Sequence, residues 1–527
     1  MRKFMAIVAL LLFAALAAPA GATTRYVSQS GGTFSGGAAC SGQNTISVSS
    51  FNSTTNSPGD FNYLCGTITT ALTPQGSGSS GNVVTILFDT GANITVSACG
   101  SNGCIYLSGL SYYLIDGGTP CGYVNGVDTA CNGFIQATGN GTGHGSTASI
   151  GIQMYSGGSA SNMEIRNLGI YNMYVHTGMP GNDTVSTNQY YCIHFSGTND
   201  AVHNLVEHDC AAGFVGEVTS SNIQFYNNHI YNINWGLFAS GSFNPGTITN
   251  WSVHDNDIHD WANWDVSSTG NHHDGIFFAG NDGTASDDDG ADIYNNYIHG
   301  HTSDCPNNCM TAFIYIRDSK NIRVYNNLLV ANPGDFMYNG FLFFEVVGSN
   351  LSGIVAANNT ILGGNTGFGN GSCLYAQGVT GATIENNLLS NCPVLLWGVN
   401  GSTYSALKNN VYQNSSLSNS WQIGGSAGGG GSLYSSLGAW QSATGAEGNS
   451  QATSGSLNLS STYHPQSGSI AIGAGANLTS LGILALDIAK GGTARPSSGA
   501  WDAGAFALGS GTSSAPAPPT NLRAVAQ

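Results

Sequence analysis

The chain has 527 residues, of which 75 are glycine and only 7% are charged. With 10% aromatic residues and so little charge it does not have the composition of a disordered chain, so it is expected to fold. Its net charge of −17 argues against nucleic acid as a partner, because affinity for nucleic acid comes chiefly from Lys and Arg.

The N-terminal segment is typical of a secretory signal peptide. Arg2 and Lys3 precede an apolar run that ends in small residues at Ala22, the predicted cleavage site. A transmembrane anchor is the alternative, but the run is short for a membrane span. The mature protein is therefore expected to be secreted, extracellular or at the cell surface.

The twelve cysteines fit an exported protein, in which disulfides are stable. Pairing of cysteines close in sequence is expected to staple turns and loops. The predicted pairs are Cys40 with Cys65, Cys99 with Cys104, Cys121 with Cys131, Cys192 with Cys210, Cys305 with Cys309, and Cys373 with Cys392.

A polar pair, usually Asn-Asn, recurs between short apolar runs, as in "NIRVYNNLLVANP" from Asn321. Repeats of 20 to 50 residues without helical periodicity indicate a β-solenoid. Equivalent residues of successive coils then stack about 4.8 Å apart. The pair is predicted to form a corner, where Asn tolerates a left-handed conformation and can bond its amide to the next coil. Its second residue is Asn228, Asn256, Asn296, Asn327, Asn359, Asn387 and Asn410.

Strand–Asn-Asn–strand repeats behind a signal peptide resemble the right-handed parallel β-helix proteins of the pectate-lyase-like superfamily, most clearly over residues 150–415. "DIAKGGTARPSSGAWDAGAFAL" from Asp487 is similar to the ending of many bacterial secreted β-helix proteins. The resemblance implies an all-β, right-handed parallel β-helix with an N-terminal cap and an irregular C-terminal region. Members include polysaccharide lyases, glycoside hydrolases, esterases, epimerases and non-catalytic surface proteins, so the fold does not select an activity.

Composition and repeats divide the chain into five parts. The end of a solenoid must be shielded, so the Cys-rich start is expected to form a cap. "PPTNLRAVAQ" at the end resembles the start of a fibronectin type III module, which leaves open a further C-terminal module. The predicted parts are a signal peptide (1–22), a disulfide-rich cap with the first coils (23–150), regular coils (151–415), C-terminal coils with a Gly-rich excursion (416–508) and a Pro/Ser-rich linker tail (509–527).

Charge and apolar pattern bear on the binding surface. No Lys or Arg occurs between Asn167 and Ile316, where 16 Asp or Glu and 11 of the 13 His lie. A polyuronate would therefore need a bridging cation to bind this region.

One strand of each coil is apolar on both faces, so it is expected to be covered or to stack sugar rings. Its outward positions are predicted to be Phe238, Phe277, Ile314, Leu342 and Leu374.

The 40-residue step from Asn256 to Asn296 is the longest, and solenoid insertions tend to gather on the binding face. Alignment on the Asn corner predicts that His259 and His299 stack. Imidazoles and carboxylates here suit general acid–base chemistry, metal binding, or plain backbone capping of turns. The candidate catalytic residues are His272, His273, Asp274, His259, His299, Asp287 and Asp288.

"HHDGI" from His272 and "DDDG" from Asp287 resemble the acidic motifs of polygalacturonases, and paired carboxylates serve glycoside hydrolysis. "NDGTASDDDG" is rich in oxygen ligands and predicts a calcium site at Asp282, Asp287 and Asp289. Arg317 aligns with Glu345 on the next coil and is expected to pair with it. The candidate substrate-binding residues are Trp261, Trp264, His301, Arg317 and Lys320.

The sequence thus favours a secreted, monomeric β-helix protein that cleaves glycosidic bonds of an extracellular polysaccharide as a glycoside hydrolase or polysaccharide lyase. Calcium is the one candidate cofactor, and neither nucleic acid nor a membrane span is expected. The alternative is a non-catalytic cell-surface or extracellular β-helix that binds glycan or mediates adhesion. Two ionisable side chains within reach of one bond would favour the enzyme.

Overall fold

A computed structural model describes most of the chain between Gly21 and Leu508, and no helix in this part is long and apolar enough to cross a membrane. The signal peptide (1–22) and linker tail (509–527) predicted above lie almost wholly or wholly outside it. The described ranges are 21–124, 127–140, 149–155, 158–174, 190–217, 219–240, 247–261, 272–280, 289–302, 310–335, 337–348, 351–364, 371–398, 401–425 and 430–508.

Each regular coil contributes strands to three faces, here named A, B and C in chain order. Face A leads into the Asn corner, and its strands form one sheet of 15. Its strands are Thr24–Ser28, Ser30–Thr33, Asn44–Ser47, Phe61–Cys65, Val84–Phe88, Ser111–Asp116, Ser161–Arg166, Ala201–His203, Ser220–Tyr226, Ile248–His254, Asp289–Tyr294, Lys320–Tyr325, Val355–Ala357, Ala382–Glu385 and Tyr404–Lys408.

Face B begins directly after the Asn corner, and face C follows it. Two long strands, Val206–Glu217 and His229–Ser240, run through both faces. The other strands of face B are Thr67–Ile68, Asn93–Val96, Gly133–Ala137, Leu168–Tyr171, Asp257–Trp261, Tyr297–Gly300, Leu328–Ala331, Thr360–Leu362, Leu388–Ser390, Val411–Gln413 and Gln451–Thr453. Those of face C are Ile105–Tyr106, Ile152–Gln153, Tyr191–Phe195, His273–Ala279, Met310–Arg317, Gly340–Glu345, Ser372–Gln377, Val394–Gly398 and Trp421–Ile423.

Few described elements lie outside these three faces. Gly122–Val124 pairs antiparallel with Val127–Thr129, and Ser432–Tyr434 pairs antiparallel with Trp421–Ile423. The helices are Val48–Ser53 and Leu437–Thr444, and the 3-10 helices are Thr479–Leu481 and Leu484–Asp487.

Strands of neighbouring coils pair in parallel along all three faces, so the chain is a parallel β-helix, as predicted. His259 lies opposite His299, and Arg317 lies opposite Glu345, in the register expected from the sequence. The interior is filled by ladders of apolar side chains, such as Ile276, Ile314 and Leu342 on face C.

The predicted outward column of face C was partly wrong. Ile314, Leu342 and Leu374 point into the core, and the residues that follow them in sequence point outward. A register shift between His273 and Asp274 displaces this strand relative to its neighbour, and one residue of slip exchanges the two faces. The outward column is Phe238, Phe277, Tyr315, Phe343, Tyr375 and Trp397, and all six are buried. A covered sheet, not a sugar-stacking platform, therefore explains the second apolar face.

The Asn corner works as predicted, with a separate role for each residue of the pair. The first residue, such as Asn326 at φ 54°, takes the left-handed conformation. The second is buried, and its amide bonds the next coil: Asn296 Nδ2 donates to Asn327 Oδ1, and Asn327 Nδ2 to Asn359 Oδ1, both at 3.0 Å. This ladder continues unbroken from Asn228 to Asn410.

Disulfides follow the predicted pairing. Five of the six predicted pairs are formed, and Cys305 and Cys309 lie outside the described residues. Disulfides of this number are typical of proteins from oxidising compartments.

The C-terminal part departs from the predicted further coils in 416–508. Strands of the solenoid end at Thr453, and residues 455–508 form turns and two 3-10 helices instead. This segment turns back over the outside of the solenoid and packs on the Asn corner, where Leu486 and Trp501 cover Tyr325. The reason is chemical: the outward groups at this corner are side-chain amides and aromatic rings, which the segment can bond and bury.

Candidate functional site

The predicted catalytic residues separate into two clusters on different faces. On face B, the rings of His259 and His299 stack with centroids 4.9 Å apart. His259 Nδ1 lies 2.8 Å from Asp260 Oδ2, and His299 Nε2 lies 2.8 Å from Asp257 Oδ1. The bond from His259 lowers the pKa of Asp260 to about 2, although partial burial opposes this effect. Each imidazole of this cluster is thus already engaged by a carboxylate.

The face B imidazoles belong to a longer column of stacked rings. Tyr171, His208, Tyr231, His259 and His299 follow one another with centroid separations of 4.3 to 5.4 Å. Because ring faces contact each other, only ring edges are turned to solvent. A further contact joins His259 Nε2 to His229 Nε2 at 2.7 Å, so both nitrogens of His259 have partners.

On face C, His272 and Asp274 form a close pair. His272 Nδ1 lies 2.5 Å from Asp274 Oδ2, and the other carboxylate oxygen accepts the backbone N–H of Ala312 at 3.0 Å. The Asp274 side chain is fully buried, whereas that of His272 is 35% exposed. A buried carboxylate that accepts from Nδ1 fixes the imidazole tautomer and leaves the Nε2 lone pair for a ligand or a proton.

Aromatic rings surround the exposed imidazole of His272. Its ring centroid lies 5.1 Å from Phe277, 5.9 Å from Tyr315 and 6.0 Å from Trp235, each in an edge-on arrangement. Trp235 comes from the preceding coil, where it is the register partner of Asp274. These contacts hold the imidazole in an apolar setting with one open side.

Tyr315 lies beside His272 and belongs to the next coil. Its hydroxyl donates to Glu345 Oε2 on the next coil. Burial, with the neighbouring carboxylate of Glu345 adding to it, raises the pKa of Tyr315 far above its usual range, so the phenol stays protonated. The guanidinium of Arg317 lies 5.7 Å from the centre of the Phe277 ring, a cation–π distance.

The sequence did not single out Tyr315, because the register shift that places it outward is invisible in a linear pattern. Nor did it find Trp235. The signal that could have found Tyr315 is its position two residues before Arg317 on one strand, since alternate residues of a strand share a face.

Other predicted residues lie elsewhere. His273 is fully buried, and Trp261 is 3% exposed and stacks on Phe313 in the core, so neither side chain can contact a polymer. Lys320 begins a strand of face A, on a different face from Arg317. His301 is 62% exposed, with Nδ1 3.6 Å from Asp335 Oδ1.

Of the three predicted calcium ligands, one, Asp289, lies within the described residues. Asp289 is exposed on face A, where its Oδ1 accepts from Asn321 Nδ2 at 2.6 Å. Asp282, Asp287, Asp288 and Trp264 lie outside the described residues. Within the described ranges, no group of three or more His, Cys, Asp or Glu is arranged to hold a metal ion.

No protein-family model and no curated protein matches the sequence. Several solved structures are similar at low identity, and three of them are described here. The A-module of the Azotobacter vinelandii mannuronan C-5 epimerase AlgE6 is 11% identical, over 75% of this chain and 90% of that one, with a TM-score of 0.39. Pectate lyase Pel9A is 13% identical, over 92% and 96%, with a TM-score of 0.35.

The third is the GH136 lacto-N-biosidase from Eubacterium ramulus, 13% identical over 74% of this chain and 64% of that one, with a TM-score of 0.37. These identities bear on the fold alone. By name the three proteins are an epimerase, a lyase and a glycosidase, so the chemistry of the present site has to be argued from its own geometry.

Proposed function

We propose that the protein is a secreted enzyme that cleaves glycosidic bonds of an extracellular polysaccharide, with His272 as its general base or acid. The observation that carries this proposal is the contact between the exposed imidazole of His272 and the buried carboxylate of Asp274. Such a pair orients an imidazole and stabilises the imidazolium that forms when it takes up a proton.

Tyr315 helps to hold His272 in place. Its ring lies edge-on 5.9 Å from that of His272, its side chain is buried, and its hydroxyl already donates to Glu345 Oε2. Cleavage of a glycosidic bond needs proton transfer at the reacting oxygens, and the partly exposed imidazole of His272 is the group of this cluster suited to it.

The arrangement favours imidazole chemistry over a pair of carboxylates. Both oxygens of Asp274 are engaged, and its side chain has no exposed surface, so it cannot act on a sugar directly. Glu345 is bound to Tyr315. Arg317 adds a cation beside the ring of Phe277, suited to an acidic group of the substrate.

The face B cluster supports the proposal less well. His259 is bonded at both nitrogens and stacked on both ring faces, so its lone pairs are occupied. We therefore assign His259 and His299 a role in holding the coils together rather than in the reaction. His301, although exposed, has only a distant carboxylate and remains a candidate for substrate contact.

The proposal is tested by incubating purified protein with a panel of neutral and acidic polysaccharides, with and without a chelator, and measuring new reducing ends. Ultraviolet absorbance of an unsaturated product separates elimination from hydrolysis. Asp274→Asn keeps the shape of the side chain but removes the charge that orients His272. Turnover of this variant is expected to fall by roughly a hundredfold or more.

His464→Ala is the matched control, because His464 is a half-buried imidazole of the C-terminal segment, hydrogen-bonded to Thr462. It should cleave at the wild-type rate. Equal turnover in Asp274→Asn and the wild type would remove the proposed site. Binding to a polysaccharide without any turnover of the wild type would instead favour the glycan-binding alternative.

A further inference from the structure

One aromatic side chain differs from the others in its exposure. Tyr338 is 42% exposed, and within the described ranges it is the one aromatic residue among the exposed large apolar side chains. The outward rings of face C are, by contrast, buried in a column. A single exposed ring is not by itself a binding site. Its position in the coil and the support of its backbone therefore decide what it can do.

Tyr338 lies at the same edge of face C as His272. His273 is the register partner of Met310, and the carbonyl oxygen of Met310 accepts the backbone N–H of Tyr338 at 2.8 Å. Both His272 and Tyr338 stand where the chain enters face C. Tyr338 is thus two coils beyond His272, about 10 Å along the solenoid at the spacing of neighbouring strands.

The backbone around Tyr338 is held by the coils on both sides. The N–H of Asn339 donates to the carbonyl oxygen of Thr311 at 3.3 Å, and the carbonyl oxygen of Asn339 accepts from the N–H of Ser372 at 3.1 Å. Met337, just before Tyr338, is buried in the core. Because its neighbours are fixed inward and sideways, the exposed ring stands on a rigid support, and little further ordering of the chain is needed when a ligand binds.

The coil between His272 and Tyr338 also presents an exposed ring. His301 follows the face B strand of that coil, and its side chain is 62% exposed. Its Nδ1 lies 3.6 Å from Oδ1 of Asp335, which belongs to the turn that leads into Tyr338 and accepts the backbone N–H of Asn332 at 2.9 Å. Three partly or largely exposed rings therefore lie on three successive coils.

The chemistry of a tyrosine ring suits a sugar. The flat face of the phenol can pack on the C–H side of a pyranose ring, while the hydroxyl stays in water or bonds a sugar hydroxyl. Such a contact is largely apolar, so it does not require a charged substrate. Two coils away from His272, it can only be made by a sugar unit other than the one that reacts.

We propose that Tyr338 stacks a sugar unit of a polysaccharide that runs along the coils from His272. The substrate is then a polymer that is bound over several units, not a short oligosaccharide. This inference rests on the proposed function, because it places the reacting bond at His272. Tyr338 contributes binding only, and no proton transfer is assigned to it.

Steady-state cleavage of the polysaccharide by Tyr338→Ala tests this role. We expect KM to rise about tenfold and kcat to stay nearly unchanged, because the ring contacts the substrate away from the reacting bond. Tyr338→Phe keeps the ring and should keep the KM of the wild type. On the shortest fragments that the wild type still cleaves, Tyr338→Ala and the wild type should have the same KM.

Leu484→Ala is the control, because it removes an apolar side chain that is 81% exposed on the C-terminal segment. It should leave both constants unchanged. An unchanged KM of Tyr338→Ala on the polymer, while His272→Ala loses turnover, would overturn this inference and leave the proposed function standing. A KM that rises equally on polymer and shortest fragments would overturn it too, since the substitution would then act on the reacting unit.

Affinity electrophoresis in a gel that contains the polysaccharide measures the same contact without catalysis. If the wild type binds but does not cleave, the proposed function fails, and the role of Tyr338 is judged by retardation. Tyr338→Ala should be retarded less than the wild type, and Leu484→Ala equally. Equal retardation of all three would overturn the stacking role. A wild type that neither binds nor cleaves any polysaccharide of the panel would overturn both proposals.

Discussion

Glu207 is a carboxyl group in the interior of the solenoid. Its side chain is fully buried, and neither oxygen has a hydrogen-bond partner among the residues that the structure describes. Its register neighbours on the adjoining coils are Ile170 and Ile230. Burial raises its pKa from 4.5 to about 8. Gly213 makes room for the carboxyl, since a Cβ there would lie 2.8 Å from Glu207 Oε2.

Glu207 should make the protein less stable as the pH rises. The folded chain keeps this proton up to about pH 8, whereas the unfolded chain releases it above about pH 4.5. The free energy of unfolding is therefore expected to fall between these values, by about 1.4 kcal/mol per pH unit within the window. Glu207→Gln should abolish this component, and urea unfolding at pH 5 and pH 8 measures it.

The matched control is Glu217→Gln, because Glu217 is a partly exposed carboxylate on the outside of the same strand. Its variant should keep the full pH dependence of the wild type. If the free energy of unfolding changed with pH equally in Glu207→Gln and the wild type, the raised pKa of the buried carboxyl would be contradicted.

The Asn ladder is the main element that fixes the register of the coils. Asn327 Oδ1 accepts from both Asn296 Nδ2 and the Asn296 backbone, and Asn327 Nδ2 donates to Ile293 O and Asn359 Oδ1. All these groups are buried. Removing one amide therefore leaves several polar groups without partners, and each costs about 1–3 kcal/mol.

Asn327→Ala is expected to lower the free energy of unfolding by about 3 kcal/mol, measured by urea denaturation. Asn222→Gly is the comparison, because Asn222 has a left-handed φ of 56° that Ala would strain. Asn222 belongs to a second amide row at the start of face A, where it donates to Asn199 Oδ1 at 2.9 Å, but it is exposed. Its loss should cost about 1 kcal/mol or less, because water replaces the bond. Equal costs at both sites would contradict a stabilising role of the buried ladder.

The left-handed corner offers a separate test. Asn227 has φ 53° and an exposed side chain, so its backbone conformation dominates the effect of a substitution. Asn227→Gly should be tolerated, whereas Asn227→Val should cost about 1–2 kcal/mol, because a β-branched residue is strained there. Thermal unfolding of the two variants checks this. A valine variant as stable as the glycine variant would refute the left-handed conformation of Asn227.

Across the whole molecule, the C-terminal segment ties the last coils together. Arg495 is buried, and its guanidinium donates to Asn326 Oδ1 at 2.8 Å and to the carbonyl oxygens of Leu486, Asp502, Gly504 and Ala505. Burial lowers its pKa to about 10, so it remains charged at neutral pH. One side chain thus joins the corner to both arms of the segment.

Arg495→Gln should detach this segment and lower the free energy of unfolding by about 3 kcal/mol or more. Limited proteolysis should then cleave within residues 455–508 faster than in the wild type. Lys408→Gln is the control, because Lys408 is a half-exposed cation 3.9 Å from Glu385, and such a pair contributes about 0–1 kcal/mol. Unchanged proteolysis of the Arg495 variant would contradict the role of Arg495 in holding this segment on the Asn corner.

Properties that depend on spacing along the chain could be predicted from sequence. The corner Asn residues, the stacking of His259 on His299 and the alignment of Arg317 with Glu345 all follow from a repeat in register. Properties that depend on local backbone irregularity could not. The register shift at His273 decides that Tyr315 faces His272, and the left-handed Asp260 precedes a Trp261 that points inward.

The predicted catalytic residues lie on two different faces because the chain turns from face B to face C within one coil. His259 and His272 are 13 positions apart, yet they lie on different faces, so proximity in sequence did not ensure a common site. The neighbours of His272 come instead from other coils: Trp235 from the coil before it and Tyr315 from the coil after it, and Tyr315 in turn bonds Glu345 one coil further on. Stacking of coils, not local sequence, assembles the proposed active site.

The turnover of His272→Ala on the cleaved polysaccharide tests the central claim most directly. With the stability of the variant matched to that of the wild type by urea unfolding, the account predicts a rate lower by roughly a hundredfold or more, partly restored by added imidazole. His272→Ala cleaving at the wild-type rate would contradict it.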